Sequence, residues 1–327
     1  MNKTIKTAFV GAATAIAMLS SAAYAAEWRG WNIHVDGYPN TVAMDKFAEL
    51  VAEKTGGEIT LQMFHGGTLG DQPDAIEQVR LGGLEIGNFN LGPIGPIAPE
   101  ANVVSLPFIF KDVDHMFRVL DGEAGQKIAD GMAAKGLVPL AWYDAGARSF
   151  YNADHAINAP TDLQGMKVRV MNNDLYSGMI SQLGGNPSPM AFGEVYQALK
   201  TGVVDGAENN WPSYESTGHF EVAGFYSLSQ HLIIPECVCI NADVFNGLSD
   251  EQKTALTEAA QESAELQRQL WNEREAASRD KVMAAGVTMN EIADKAPFQD
   301  AMAPVYEAYL EANPDLRPLV ELIQATE

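Results

Sequence analysis

The sequence predicts an α/β protein of two similarly built lobes braced by one long helix, on three observations. Apolar stretches of strand length alternate with segments of 10 to 14 residues whose apolar side chains recur at helical spacing, which implies βαβ units and a mainly parallel sheet. Two halves of the chain repeat one order of features. In the first, Gly57 precedes a strand, a loop and a helix that ends in Gln78-Val-Arg-Leu-Gly-Gly-Leu-Glu85; in the second, Gly165 precedes the same series, ending in Gln197-Ala-Leu-Lys-Thr-Gly-Val-Val204. Finally, an amphipathic segment capped by Ser249 runs to about Ala285 with no proline or glycine to stop it. At 1.5 Å per residue it spans roughly 55 Å, more than one lobe, so it should cross both.

The elements follow in order. Lys3 and Lys6 precede an apolar run from about Ala8 to Leu19 and the small residues Ala23-Tyr24-Ala25, the pattern of a secretory signal peptide over residues 1–25, cleaved near Ala25/Ala26. The run is short for a membrane span, no later stretch reaches the roughly 20 apolar residues that spanning needs, and a periplasmic protein not embedded in a membrane is expected. A strand from Trp28 to Val35 leaves through Asp36-Gly-Tyr-Pro39. Val42, Met44, Phe47, Leu50 and Val51 mark a helix to Lys54, followed by a strand from Ile59 to Phe64, a glycine loop, a helix from Pro73 to Leu81 and a strand from Leu84 to Phe89. Helices from Val113 to Leu120 and Gly125 to Lys135 and a strand from Leu137 to Tyr143 complete the first lobe. The second restarts after Asp144-Ala-Gly-Ala-Arg148, with a strand from Met166 to Met171, a helix to Leu183, a helix from Phe192 to Lys200 and a strand from Ala207 to Asn210. A strand from Leu232 to Ala242 leads to the long helix, and the remaining helices to Glu327 should pack on the second lobe. The expected division is residues 26–149 with 237–275 for lobe I and 150–236 with 276–327 for lobe II.

Composition narrows the function. The formal net charge is −22, and loss of the leader, with two lysines and no acid, makes the mature chain more negative still. Such a chain repels phosphate backbones, so no nucleic-acid partner is expected. The only cysteines, Cys237 and Cys239, would share one strand face; a bond between them would be strained, so two buried thiols are expected. No Gly-x-Ser-x-Gly, His-Glu-x-x-His or phosphate-loop signature occurs. The six histidines, His34, His65, His115, His155, His219 and His231, are scattered without ligand spacing; only His34 stands at a strand end beside the expected cleft. No enzyme activity, metal or cofactor is expected.

Polar residues at strand ends remain. In open parallel sheets ligands bind outside the carboxyl ends of the strands, and those ends carry Asp36, Asn88, Arg148, Arg169 with Asn172, and Asn209 with Trp211. In Lys167-Val-Arg-Val170 the valines share one face and Arg169 points from the other, where it is either solvated or aimed at a ligand. A guanidinium suits a carboxylate, amides and one carboxylate suit hydroxyls, and an aromatic face packs on a ring.

These residues also carry a family resemblance. Gly146-Ala-Arg-Ser-Phe-Tyr-Asn152, Gly165-Met-Lys-Val-Arg-Val170, Gly193-Glu-Val-Tyr-Gln-Ala-Leu199 and Gly202-Val-Val-Asp-Gly-Ala-Glu-Asn-Asn-Trp-Pro-Ser-Tyr-Glu-Ser216 resemble the DctP-type solute receptors of TRAP transporters. The resemblance implies a periplasmic binding-protein-like fold whose two lobes close on an organic acid for delivery to TRAP membrane permease subunits, with the receptor a monomer. It implies that Arg169 pairs with the ligand carboxylate, and it maps the family's other arginine and asparagine onto Arg148 and Asn209. The form Glu-Asn-Asn-Trp-Pro-Ser-Tyr-Glu-Ser resembles a branch that takes uronates and related sugar acids, although Asn88 stands where some relatives have arginine. A uronate is the expected ligand. A hydroxybenzoate-like aromatic acid or a C4-dicarboxylate is the alternative, the latter wanting cations at both ends of a site that supplies amides at one. A secreted enzyme acting on sugar acids is the more distant reading.

Overall fold

A computed structural model describes residues 26–327, so the expected signal peptide lies outside the described residues. The strands are β1 (Ala26–Asn32), β2 (Ile59–Phe64), β3 (Ile86–Asn90), β4 (Leu137–Tyr143), β5 (Ala147–Asn152), β6 (Lys167–Val170), β7 (Asn186–Pro189), β8 (Gly206–Asn209), β9 (Phe225–Ile233), β10 (Glu236–Asn241) and β11 (Thr288–Glu291). They form one sheet ordered β2-β1-β3-β10-β4 and a second ordered β11-β9-β5-β8-β6-β7.

Each sheet is parallel except for one reversed strand. β10 runs antiparallel to β3 and β4, and β5 runs antiparallel to β8 and β9. These are the strands that enter each sheet straight after the chain has crossed from the other, β4 to β5 and β9 to β10. An antiparallel strand begins where its neighbours end, so the first residues of β5 and β10 join the carboxyl ends of β8 and β3 at one edge. The expected single strand from Leu232 to Ala242 is therefore two, broken at Ile234-Pro235, where proline cannot donate to a ladder.

The long helix is Asp250–Ala284, capped by Ser249, whose side chain accepts from the Gln252 amide while Gln252 answers the Ser249 amide. Its N-terminal part packs on the helix Pro39–Lys54 and on β4, and further along it packs on the helix Trp211–Ser216. Glu215 of that short helix is gripped by Arg274 and Lys281 of the long one. The crossing at residues 144–146 is fixed by Gln267, which accepts from the Asp144 amide at 2.8 Å and donates to the Asp144 carbonyl at 2.8 Å. Gly146 takes φ +60° there, and any Cβ would meet the Trp271 ring at 3.0 Å, so the turn is closed to larger residues.

Two expectations are corrected. Cys237 and Cys239 are joined by a disulfide, with Cα atoms 5.5 Å apart. A register shift against β4 between Val238 and Cys239 interrupts the regular pleat and brings two side chains of one face together. The C-terminal helices do not pack on the second lobe alone. Ala303–Ala312 lies on the helix Asp174–Gln182, but Arg317–Ala325 lies on Glu123–Ala133, and the Tyr309 hydroxyl donates to the Pro99 carbonyl at 2.7 Å.

Candidate functional site

The strand edge described above opens into a cleft of about 580 Å³, its mouth included. Polar lining comes from His34 after β1, Gln72, Asn90 at the end of β3, Arg148, Arg169, Asn172, Asn209, Asn210, Ser213 and Glu236; Ile33, Met171, Met190 and Phe192 are among the apolar walls.

Arg169 is 2% exposed. Met190 follows β7, the parallel neighbour of β6, and its carbonyl accepts from Arg169 Nε at 3.1 Å and Nη2 at 2.7 Å. Among the described residues Nη1 has no hydrogen-bond partner and no carboxylate lies within salt-bridge distance, and the guanidinium sits 6.0 Å from the Phe192 ring centroid. Burial pulls its pKa down to about 10. A buried guanidinium without a counter-charge is costly unless something brings the missing anion.

Arg148 is differently placed. Phe150 lies opposite Glu208 across β5 and β8, so Arg148, two residues back on the same face, meets Glu208 diagonally. Its Nε donates to Glu208 Oε2 at 2.5 Å and its Nη2 to Oε1 at 2.8 Å, a bidentate pair, while Nη2 also reaches the Glu208 carbonyl. Although burial opposes it, the Arg148 charge holds the Glu208 carboxyl down at about 2. Nη1 donates to Asn209 Oδ1 at 2.7 Å, and that oxygen also accepts from the Asn210 amide, which leaves the Asn209 amide nitrogen facing the cleft. Arg148 thus has its anion within the protein and orients Asn209.

The opposite wall carries an acid. Glu236, the first residue of β10 and 3% exposed, accepts from His34 Nε2 at 3.1 Å and from Asn40 Nδ2 at 2.7 Å. His34 stacks on Tyr38 at 3.9 Å, and Asn40 is held through its Oδ1 by Gln267 of the long helix at 2.7 Å. The Tyr38 hydroxyl lies 3.0 Å from that of Ser213, joining the two walls.

Of the seven residues singled out in the sequence, Arg169, Arg148, Asn209 and Asn172 line the cleft, Asn172 as an exposed residue at its rim. Asn88, Asp36 and Trp211 do not. Asn88 lies opposite Val238 within the sheet, where its amide donates to the Cys237 carbonyl and its oxygen faces Asn40. Asp36 is exposed on the loop before the first helix. Trp211 stacks on Tyr226 at 3.7 Å within the second lobe's core, where burial of a large ring outweighs presenting it to a ligand. Glu236, Gln72 and the Met190 carbonyl were not legible as site groups. Glu236 begins a reversed strand, whereas ligand groups of parallel sheets stand at carboxyl ends; its signal was Pro235, which breaks the apolar run.

Residues 32–313 match the family model described as bacterial extracellular solute-binding protein, family 7 (DctP). The chain belongs to this family. A solute-binding protein of Chromohalobacter salexigens is 54% identical over 99% of this chain and 98% of its own. A TRAP periplasmic solute-binding protein of Roseobacter denitrificans, solved with β-D-glucuronate bound, superposes with TM-score 0.92 at 83% identity, covering 92% of this chain and 100% of that one. A relative from Sulfitobacter sp. NAS-14.1, solved with β-D-galacturonate, gives TM-score 0.90 at 60% identity over 91% of this chain and 99% of its own. DctP proteins are extracellular solute-binding receptors, two-lobed and spanned by a long helix, and the fold here is theirs. Among the described residues no helix is long and apolar enough to cross a membrane.

Proposed function

We propose that this chain is the periplasmic receptor of a TRAP transporter and binds a hexuronate, glucuronate or galacturonate, between its lobes. The observation that carries this is Arg169: a buried guanidinium that meets no carboxylate among the described residues, aimed into a cleft whose other side is lined by hydrogen-bonding groups, in a chain 83% identical to a glucuronate-bound receptor. The acid group pairs with Arg169, and the Asn209 amide, oriented by Arg148, serves the sugar. The receptor acts without altering its ligand, as a monomer, and hands it to the membrane permease. Its leader is removed at about Ala25/Ala26. The lobes divide near residues 144–146 and 234–235, which supports residues 26–149 with 237–275 and 150–236 with 276–327 as the moving parts, the C-terminal contacts to both notwithstanding.

A thermal-shift panel of uronates, aldonates, C4-dicarboxylates and hydroxybenzoates, with mass analysis of the recovered ligand, tests the proposal. Hexuronates should give the largest stabilisation and return unchanged. A larger shift with a dicarboxylate or an aromatic acid, or turnover of the stabilising compound, would contradict it.

A further inference from the structure

We propose that Glu236 determines specificity: it accepts from hydroxyls at the end of the ligand remote from the acid group, and it excludes ligands that carry a second acid group there. This rests on the hexuronate reading of the cleft. The cleft holds two buried groups of opposite sign, Arg169 and Glu236, and among the described residues Arg169 forms no ion pair and Glu236 meets only His34. Among the described residues no lysine or arginine comes within salt-bridge distance of Glu236, and His34 is the one basic side chain that reaches it. A carboxylate offers about four lone-pair directions and no donor. His34 and Asn40 occupy part of that capacity and fix the group in place; Asn40 is held by Gln267 and His34 by its stack on Tyr38, so the carboxylate is aimed before any ligand arrives.

What such a group demands from a ligand is a donor. A hexuronate has one carboxylate, and the ring carbons remote from it carry hydroxyls that donate. The hexaric acid of the same configuration carries a second carboxylate in place of the hemiacetal, so it is open-chain, and that charge would be brought against the buried Glu236; the open chain is common to every variant, so a change of preference on replacing Glu236 reads the charge. Amides at that end would tolerate either ligand, because an amide both donates and accepts. A buried carboxylate discriminates by repulsion as well as by attraction. The same logic disfavours short dicarboxylates, whose second charge finds no cation on this wall.

The test is calorimetric titration of the mature chain, Glu236→Gln and Glu236→Asp with glucuronate and with glucarate. Arg169→Met serves as a control that removes the acid-binding end alone. The unaltered chain should prefer glucuronate by at least about 100-fold. Glu236→Gln should reduce that preference below tenfold, weakening glucuronate and strengthening glucarate. Glu236→Asp keeps the charge and should keep a preference of more than about 30-fold with weaker glucuronate binding. Arg169→Met should weaken both ligands. An unaltered chain that binds glucarate within tenfold of glucuronate overturns the inference, even if the glutamine variant does not fold. So does a glutamine variant whose preference stays within threefold of the original. If the unaltered chain binds neither glucuronate nor galacturonate, the hexuronate reading itself falls; if it binds them and the preference ignores Glu236, only the present inference does.

Discussion

Replacing Arg169 by methionine keeps most of the apolar stem and removes the charge. Two opposite consequences follow. In the ligand-free protein the guanidinium is 2% exposed and its pKa is pulled down to about 10 by burial, so burying it costs on the order of 3 kcal/mol. Its removal leaves the Met190 carbonyl without its two donors, which costs about 1–3 kcal/mol. The free variant should therefore unfold within about 2 kcal/mol of the original, in either direction. Binding responds differently. Stripping one partner from a desolvated charged pair costs about 2–5 kcal/mol, so glucuronate affinity should fall from about 30-fold to a few thousand-fold. Calorimetric titration and urea unfolding measure the two quantities on one preparation. An affinity loss below threefold would show that the acid group binds elsewhere. A destabilisation well beyond 2 kcal/mol would show that Arg169 holds the fold, not the ligand.

Two further predictions concern residues away from that contact. Burial raises the Asp144 carboxyl to about 7, so between about pH 4 and 7 the folded chain holds a proton that the unfolded chain has released, and stability falls as pH rises through that window. Asp144→Asn keeps an oxygen for the Gly146 amide and should flatten that slope, removing on the order of a few kcal/mol of pH dependence; unfolding curves at pH 4.5 and 7 would reveal an unchanged slope if this is mistaken. Asp36→Ala should change glucuronate affinity by less than about threefold, because its carboxylate is exposed outside the cleft and such groups contribute little; a larger loss by titration would restore it to the site.

Much of the architecture was legible because it depends on local patterns. Ser249 as the cap, and a run free of proline and glycine, placed the long helix to within a residue at each end. The apolar spacing from Val113 to Leu120 gave that helix outright. Arg169 was legible because alternation on a four-residue strand separates it from Val168 and Val170. Lys167 shares its face but is exposed at the strand's first position, so alternation alone does not settle burial. What escaped the sequence depends on pairing between distant segments. That Arg148 is already neutralised by Glu208 follows from the β5–β8 register, and the Glu208 in Gly-Ala-Glu-Asn-Asn looked no different from a surface acid. Asn88 and Asn90 share a face and a composition, yet only Asn90 reaches the edge. The Cys237–Cys239 bond depends on an irregularity that no spacing rule announces.

The central claim places the ligand's acid group on Arg169 and its hydroxyl-bearing end toward Glu236 and His34. A crystal structure of the mature chain with glucuronate tests this most directly. The account predicts a carboxylate within hydrogen-bond distance of Arg169 Nη1, the Asn209 amide on the sugar, and at least one hydroxyl donating to Glu236. A carboxylate seated away from Arg169, or a sugar bound the other way round with its acid group toward Glu236, would contradict it.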